Sequence, residues 1–332
     1  MAAGYTPVDL NNRFITSPDP RALVRRAEEM GLPRTLCAWI KGIYAWALEH
    51  PEVETIVAVT QGDCSNTHGL MELLQEAGRR VIAFDYPHGR RPEPLCAALE
   101  ELARQLGTDL HAAEAVRRRL ADLRRDLARL DQMTWRDGLV SGRENHLWLV
   151  GASDFEGDAQ DYHRRLKDFL DQAAGRRPRR PGLRLGLLGV PPIIDDLHQA
   201  LEEMGAAVVY NEVPRQFAML PADSPDQDLV DQYHRYTYPY DVFWRLQDIS
   251  RQVRRRNIHG LVHYTQAFCF RQMQDLVMRR HLKVPLLTIE GDRVAPVDGR
   301  TQTRLEAFLE LLQQHHPLAG PAGPGRIEPT SH

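Results

Sequence analysis

Only four cysteines are scattered along the 332 residues, and none forms a CxxC pair. So few thiols exclude a disulfide scaffold, and their spacing matches neither a zinc nor a ferredoxin signature. The 42 basic and 45 acidic residues nearly cancel, which excludes a chain built mainly to bind nucleic acid or a charged membrane surface. No apolar run approaches the roughly 18 residues of a membrane span, and the N-terminus has no signal-peptide core. We therefore expect a cytoplasmic protein with no membrane partner.

What the sequence does contain is a series of short apolar runs separated by helical segments. Two units of strand, helix and strand are predicted, one over residues 54–87 and one over residues 183–213. Two further strands are predicted within residues 259–268 and 284–292. Strands that alternate with helices are typical of parallel sheets, so we expect an α/β fold with a parallel sheet in each half of the chain.

Segments of different composition separate these units. Residues 112–133 place leucines at helical spacing and arginines on the other face, which predicts one amphipathic helix with a solvated surface. Residues 173–184 are rich in Pro, Gly and Arg and are predicted to be an exposed linker. The expected domains are an N-terminal α/β lobe (1–110), a helical connecting segment and linker (111–182), a C-terminal α/β lobe (183–316) and a disordered tail (317–332).

Three of the cysteines fall where ligands collect in α/β proteins, at strand ends and helix starts. Cys64 follows the first predicted strand and Cys269 follows the strand within 259–268, whereas Cys37 is predicted to begin a helix. Because the N-terminus of a helix stabilises a thiolate, we expect a lowered pKa at these thiols and a tendency to bind metal. Three such thiolates would hold one iron–sulfur cluster in a cleft and leave its fourth iron open to a substrate oxygen.

Spacing alone leaves a simpler interpretation open, in which each cysteine is a small buried apolar residue. Core packing is the prediction for Cys96, because it lies at helical spacing with Leu95 and Leu99. His68, close after Cys64, is either a polar neighbour of the cluster or an exposed residue near a helix start.

A set of motifs in a fixed order carries a family resemblance. They are TLCAWIKG, TQGDCSNTH followed by FDYPH, DGLVSGREN, GLLGVPPI, YHRYTYPY, HYTQAFCF, and IEGD followed by TQTRLEAFLE. In this order the chain resembles the 2-hydroxyacyl-CoA dehydratase/benzoyl-CoA reductase family over residues 30–314. The most specific elements are the Cys64 loop, the Phe268–Cys269 pair and the TRLEAF sequence at 303–308.

The resemblance implies two Rossmann-like lobes with a 4Fe–4S cluster in the cleft between them, held by Cys37, Cys64 and Cys269. It also implies a lyase of anaerobic metabolism that removes water from a 2-hydroxyacyl-CoA substrate by a radical mechanism. Such dehydratases pair two related subunits, so a heterodimer or a homodimer is expected. They receive one electron from an ATP-dependent activator protein, and this electron reduces the thioester carbonyl to a ketyl radical that expels the hydroxyl.

Two other functions stay open. One is a reductase or electron-transfer protein that carries the same cluster but acts on another small or acyl-CoA substrate. The other is a non-catalytic partner subunit whose cysteines bind zinc or nothing. A double-cubane cluster, held by some relatives, needs more thiolates than this chain supplies.

No catalytic acid or base can be assigned from the motifs. Asp63 and His68 are the candidates, and closeness to Cys64 in sequence is the only reason for choosing them. Contacts to coenzyme A are equally unmarked. Three basic stretches are predicted to lie on a solvated surface, and contact with coenzyme A phosphates is the alternative. They are Arg79–Arg80, Arg90–Arg91 and Arg254–Arg256.

Overall fold

The computed structural model describes residues 1–221 and 228–316. They form a mixed α/β fold in which two parallel sheets are flanked by helices, so the predicted fold class is confirmed at that level. The tail predicted to be disordered, residues 317–332, lies outside the described residues. Among the described helices, none is both long and apolar enough to cross a membrane.

Each half of the chain contributes one sheet. The strands are β1 (Thr55–Gln61), β2 (Arg80–Asp85), β3 (Leu183–Gly189), β4 (Ala206–Asn211), β5 (Gly260–Thr265) and β6 (Leu286–Glu290). The first sheet pairs β1 with β2 in parallel, and the second runs β4-β3-β5-β6 with every pair parallel. Every residue of β5 is buried, as expected of an inner parallel strand that is covered on both faces.

Fifteen α-helices occur in the described part of the chain. Many begin at an aspartate or serine whose oxygen accepts a free N–H of the first turn, as at Asp109, Ser141 and Asp298. The helices are α1 (Leu10–Ile15), α2 (Pro20–Glu29), α3 (Ala38–Glu49), α4 (Ser65–Glu76), α5 (Pro92–Gln105), α6 (Leu110–Arg119), α7 (Ala121–Trp135), α8 (Gly142–Gly151), α9 (Ala159–Ala174), α10 (Leu197–Glu203), α11 (Glu212–Phe217), α12 (Leu229–His234), α13 (Val242–Arg255), α14 (Gln274–His281) and α15 (Gly299–His315). Two short 3₁₀ helices cover Phe155–Gly157 and Phe270–Met273.

The prediction of one continuous helix over residues 112–133 is wrong. The segment forms two helices, α6 and α7, which meet at Leu120, where ψ is −2° instead of a helical value. The break lets the two parts pack against different neighbours. Helix α6 contacts α5 and α12, whereas α7 contacts α8 and α9 in a separate hydrophobic cluster.

The prediction that Cys96 packs in the core is also wrong. Leu95 and Leu99 are buried, but Cys96 lies on the outer side of α5, and its thiol donates a hydrogen bond to Glu100 at 3.6 Å. One residue along a helix turns the side chain by about 100°, which is enough to leave a buried stripe. Cys96 is therefore separate from the other three cysteines in environment as well as in sequence.

The basic stretch at the end of α13 is only partly a solvated surface. Arg254 and Arg255 are exposed as predicted, but Arg256 is buried and forms two hydrogen bonds with the Asp131 carboxylate, at 2.9 and 2.6 Å. It also stacks on Trp135. Arg256 is thus a structural cation that ties α13 to α7.

The largest hydrophobic cluster joins the two halves of the chain. It packs Trp39 and Ile43 of α3 and Ile56 of β1 with Leu185 of β3 and Val262 of β5. This cluster therefore packs α3 and β1 of the first half against β3 and β5 of the second.

Candidate functional site

Each of the three predicted ligand cysteines immediately precedes a helix. Cys37 is the N-cap residue of α3, Cys64 is the N-cap residue of α4, and Cys269 precedes the 3₁₀ helix Phe270–Met273. Cys64 follows β1 and Cys269 follows β5, so the local positions predicted from the sequence are those observed. The Cys64 sulfur accepts a hydrogen bond from the Asn66 N–H at 3.4 Å.

The three thiols converge. All of them line one large cavity of about 2140 Å³, and Cys37 and Cys64 also line a small cavity of about 250 Å³ next to it. Burial raises the pKa of the Cys37 thiol to about 12, and both Cys64 and Cys269 are close enough to raise it further. Sulfur atoms separated by 27 and 205 residues in sequence therefore share one electrostatic environment.

The expectation of a lowered thiol pKa is not met at Cys37 or Cys64. Burial is the largest influence on both groups and raises both pKa values, whereas backbone N–H groups of Trp39 and Ile40 at Cys37, and of Asn66 at Cys64, only partly oppose it. Desolvation of a thiolate thus outweighs the favourable field of a helix start here. Thiolates at these positions need a cation beside them, and a metal centre would supply one.

Gln266 belongs to the site, although no sequence motif marked it. It is 1% exposed, and its side-chain oxygen accepts hydrogen bonds from the Cys37 thiol and from the Ala38 N–H, both at 2.8 Å. Its own carbonyl accepts the Cys269 N–H at 3.0 Å. Gln266 therefore caps α3 across the fold and connects two of the three cysteines.

Replacing Gln266 with Leu is expected to reduce the free energy of unfolding by about 1–3 kcal/mol, because the buried Ala38 N–H would lose its acceptor. Urea denaturation of the variant measures this change. Gln199→Leu serves as the control, since Gln199 is exposed and bonds only to Glu203 on the same helix. Equal losses in the two variants would contradict the role assigned to Gln266.

Phe268 lies between Gln266 and Cys269 in an unusual conformation. Its φ is +56°, in the left-handed region that costs a non-glycine residue about 1–3 kcal/mol, and its side chain is 80% exposed at the small cavity. Strain and exposure at a large apolar residue are typical of functional segments rather than of structural ones.

Asp63 and Arg271 line the large cavity beside the cysteines. Asp63 is exposed at the cavity. Desolvation by the surrounding protein nevertheless raises the pKa of its carboxyl group, and the positive charge of Arg271 opposes this rise. Arg271 is buried against Tyr238, with its guanidinium carbon 3.7 Å from the ring centroid. No sequence motif marked Arg271 as a site residue, because an arginine two residues after a cysteine is equally consistent with an exposed position on the surface.

Residues 1–312 match the family model described as 2-hydroxyglutaryl-CoA dehydratase, D-component. The chain belongs to this family. The resemblance predicted from the motifs is thereby confirmed, and the match includes both sheets and all three converging cysteines. No curated protein matches the chain in a direct sequence comparison.

The donor set of this dehydratase-family chain fits an iron–sulfur cluster. Cysteine thiolates are the usual ligands of such clusters, and three thiols face one cavity here. In the described ranges, no three or more His, Cys, Asp and Glu residues are grouped closely enough for a single metal ion. The fit therefore rests on the thiol ligands and on the cavity that they share.

The second candidate polar residue, His68, lies apart from Asp63. Its side chain is 58% exposed on α4 and pairs with Glu72 of the same helix at 3.5 Å. Among the residues that line the two cavities, Asp63 is present in the larger one and His68 is in neither. The geometry favours Asp63 as the neighbour of the cysteines.

Proposed function

We propose that this chain is the iron–sulfur subunit of a 2-hydroxyacyl-CoA dehydratase, a lyase that removes water from a 2-hydroxyacyl-CoA after one-electron activation. The observation that carries the proposal is the convergence of Cys37, Cys64 and Cys269 on one cavity in a member of this family. These three residues are the proposed ligands of a 4Fe–4S cluster. When bound, such a cluster supplies one electron and an iron position open to a substrate oxygen.

The protein residues around the cysteines have separate proposed tasks. Gln266 positions Cys37 by accepting the N–H of the next residue, Ala38, at 2.8 Å, a contact that remains when the Cys37 thiol loses its proton to bind iron. Asp63 presents a carboxyl group to the cavity, and it is the proposed group that exchanges a proton with the substrate. The apolar part of the cavity wall, which includes Trp39 and Phe270, excludes water from an acyl chain.

The proposed architecture is two Rossmann-like lobes, 1–110 and 183–316, joined by the segment 111–182, with the cysteines in the cleft. The two separate parallel sheets support this division. The hydrophobic cluster that includes residues of α3 and β3 supports close packing of the two proposed lobes.

The proposed assembly contains a second, related subunit or a second copy of this chain, and an ATP-dependent activator that delivers the electron. The description of the family as one component of a dehydratase supports a partner subunit. The test is an anaerobic assay of the chain with candidate partners, an activator and a panel of 2-hydroxyacyl-CoA thioesters. Formation of the 2,3-enoyl-CoA product supports the proposal, whereas electron transfer from the activator without dehydration of any thioester would favour the reductase alternative.

His68→Ala is expected to leave both iron content and dehydration rate within about twofold of wild type, because surface substitutions away from a site have small effects. Iron analysis and the thioester assay measure this. A loss of activity of tenfold or more with normal iron content would instead indicate that His68 takes part in catalysis.

A further inference from the structure

Arg271 is a buried cation that no acidic side chain neutralises at close range. It is 2% exposed, and among the described residues it belongs to no ion pair within 4.0 Å. Asp63 interacts with it electrostatically, but from beyond ion-pair distance. A buried charge without a close counter-charge is costly, so a further negative group is expected within the range of its field.

Aromatic rings fix the position of this charge. The centroid of the Tyr238 ring lies 3.7 Å from the guanidinium carbon of Arg271, and that of the Phe270 ring lies 5.0 Å from it. The face of an aromatic ring attracts a cation but carries no net charge. The rings therefore hold the guanidinium group in place without neutralising it.

One backbone segment contacts both Arg271 and the loop that carries Cys64. The Tyr238 carbonyl accepts a hydrogen bond from Nη2 of Arg271 at 3.1 Å. The next residue, Pro239, packs against Gly62 so closely that a Cβ atom on Gly62 would lie 2.9 Å from the Cβ of Pro239. The guanidinium group is thus tied to the Cys64 loop through two neighbouring residues.

The same charge lies close to Cys269. Only Phe270 separates Arg271 from Cys269 in the chain, and Arg271, Cys64 and Cys269 line one cavity. Burial raises the pKa of the Cys64 thiol, whereas the positive charge of Arg271 lowers it. The field of Arg271 therefore reaches the sulfur of a proposed cluster ligand without any direct hydrogen bond.

A fixed positive charge at this place has a consequence for redox chemistry. A 4Fe–4S core held by three thiolates has a net negative charge, and one-electron reduction adds to it, so nearby charges are among the influences that set its potential. Inside a protein with an effective dielectric constant of about 20, a unit charge about 10 Å away changes such an equilibrium roughly tenfold.

We propose that Arg271 raises the reduction potential of the cluster held by Cys37, Cys64 and Cys269, and thereby makes this cluster reducible by a protein electron donor. One electron passes from the donor, which is oxidised, to the cluster, which is reduced. Arg271 keeps its proton, and no bond to it forms or breaks. The inference rests on the cluster of the proposed function, but it does not depend on which substrate is dehydrated.

The experiment is a redox titration of the full, anaerobically reconstituted chain with dithionite and redox mediators, followed by electron paramagnetic resonance. Arg271→Gln and Arg271→Met remove the charge, whereas Arg271→Lys keeps it. Arg280→Gln is the matched control, since Arg280 is an exposed arginine of α14. Iron content is measured for every variant.

The two neutral variants should be harder to reduce. Their equilibrium constant for reduction is expected to fall about tenfold, which is a shift of about 59 mV toward more negative potential for one electron. Arg271→Lys and Arg280→Gln should stay close to wild type. Loss of iron from both neutral variants but not from Arg271→Lys would also support the proposal, because an anionic cluster would then need this charge in order to bind.

Three results would overturn the proposal. They are an unchanged potential in a neutral variant that holds its iron, an equal fall in Arg271→Lys or Arg280→Gln, and loss of iron from all three Arg271 variants. The thioester assay separates this inference from the proposed function. A shifted potential in a chain that dehydrates no thioester would leave the role of Arg271 intact and overturn the proposed function, whereas an active dehydratase with equal potentials would do the reverse. A wild-type chain that binds no iron would overturn both.

Discussion

Replacing Cys64 with Ala is expected to remove the iron–sulfur cluster and to abolish dehydratase activity. The iron content should fall from about four atoms per chain to fewer than one, because two remaining thiolates cannot hold a cluster that already has one non-cysteine position. Activity should fall by roughly a hundredfold or more, since even residues that only orient metal ligands contribute tenfold to a hundredfold. Anaerobic iron analysis and the thioester assay measure the two effects.

Cys96→Ala is the matched control for this experiment. Cys96 lies on the outer side of α5 with its thiol on Glu100, so its removal should change neither iron content nor activity. Cys37→Ala and Cys269→Ala should behave like Cys64→Ala, because all three thiols line the same cavity. Full iron content in any one of these three variants would remove that cysteine from the ligand set.

Replacing Glu212 with Ala is expected to reduce the free energy of unfolding by about 3–5 kcal/mol, the usual cost of leaving one buried charge without its partner. Arg245 is 0% exposed, and it donates two hydrogen bonds to the Glu212 carboxylate, at 2.9 and 2.8 Å. The same carboxylate accepts the Gly189 N–H at 3.0 Å, at the end of β3. Denaturant unfolding of the variant measures the loss.

The double variant Glu212→Leu with Arg245→Met is the control. Removing both charges and filling their space with apolar atoms should restore most of the lost stability, because it leaves no unpaired ion. A double variant as unstable as Glu212→Ala would show that shape rather than charge decides the effect.

The stabilisation by Glu212 should be larger near neutral pH than in acid. Burial alone would raise the pKa of Glu212, but its ion pair and hydrogen bonds with Arg245 lower it from 4.5 to about 2. A carboxyl group with a lowered folded-state pKa stabilises the protein above its ordinary pKa and loses that effect as the pH falls through the folded value. The stability difference between wild type and Glu212→Gln should therefore be largest above pH 4.5 and shrink toward pH 2.

The sequence was a reliable guide to elements whose signal is local. The runs that became β1 and β5 are short and apolar, and the motifs that follow them placed Cys64 and Cys269 correctly at strand ends. Periodicity failed where the outcome depends on tertiary packing. The helix break at Leu120 follows from two different packing partners, and the outward position of Cys96 follows from which face of α5 is covered.

The chemistry around the cysteines was less predictable than their positions. Gln266 acts through hydrogen bonds to residues 228 and 229 positions earlier, and no local pattern encodes such a contact. The pKa of the Cys37 thiol depends on burial between elements distant in sequence, so the helix-start rule gave the wrong sign. The burial of Arg271 depends on its contact with the Tyr238 ring, 33 positions earlier, and no local pattern encodes that contact either.

Metal analysis and Mössbauer spectroscopy of the wild-type chain, purified without oxygen, test whether Cys37, Cys64 and Cys269 hold one cluster. About four irons and four sulfides per chain are expected, in a spectrum with one iron site distinct from three others. One zinc per chain without iron, or no metal after anaerobic reconstitution with iron and sulfide, would contradict this expectation.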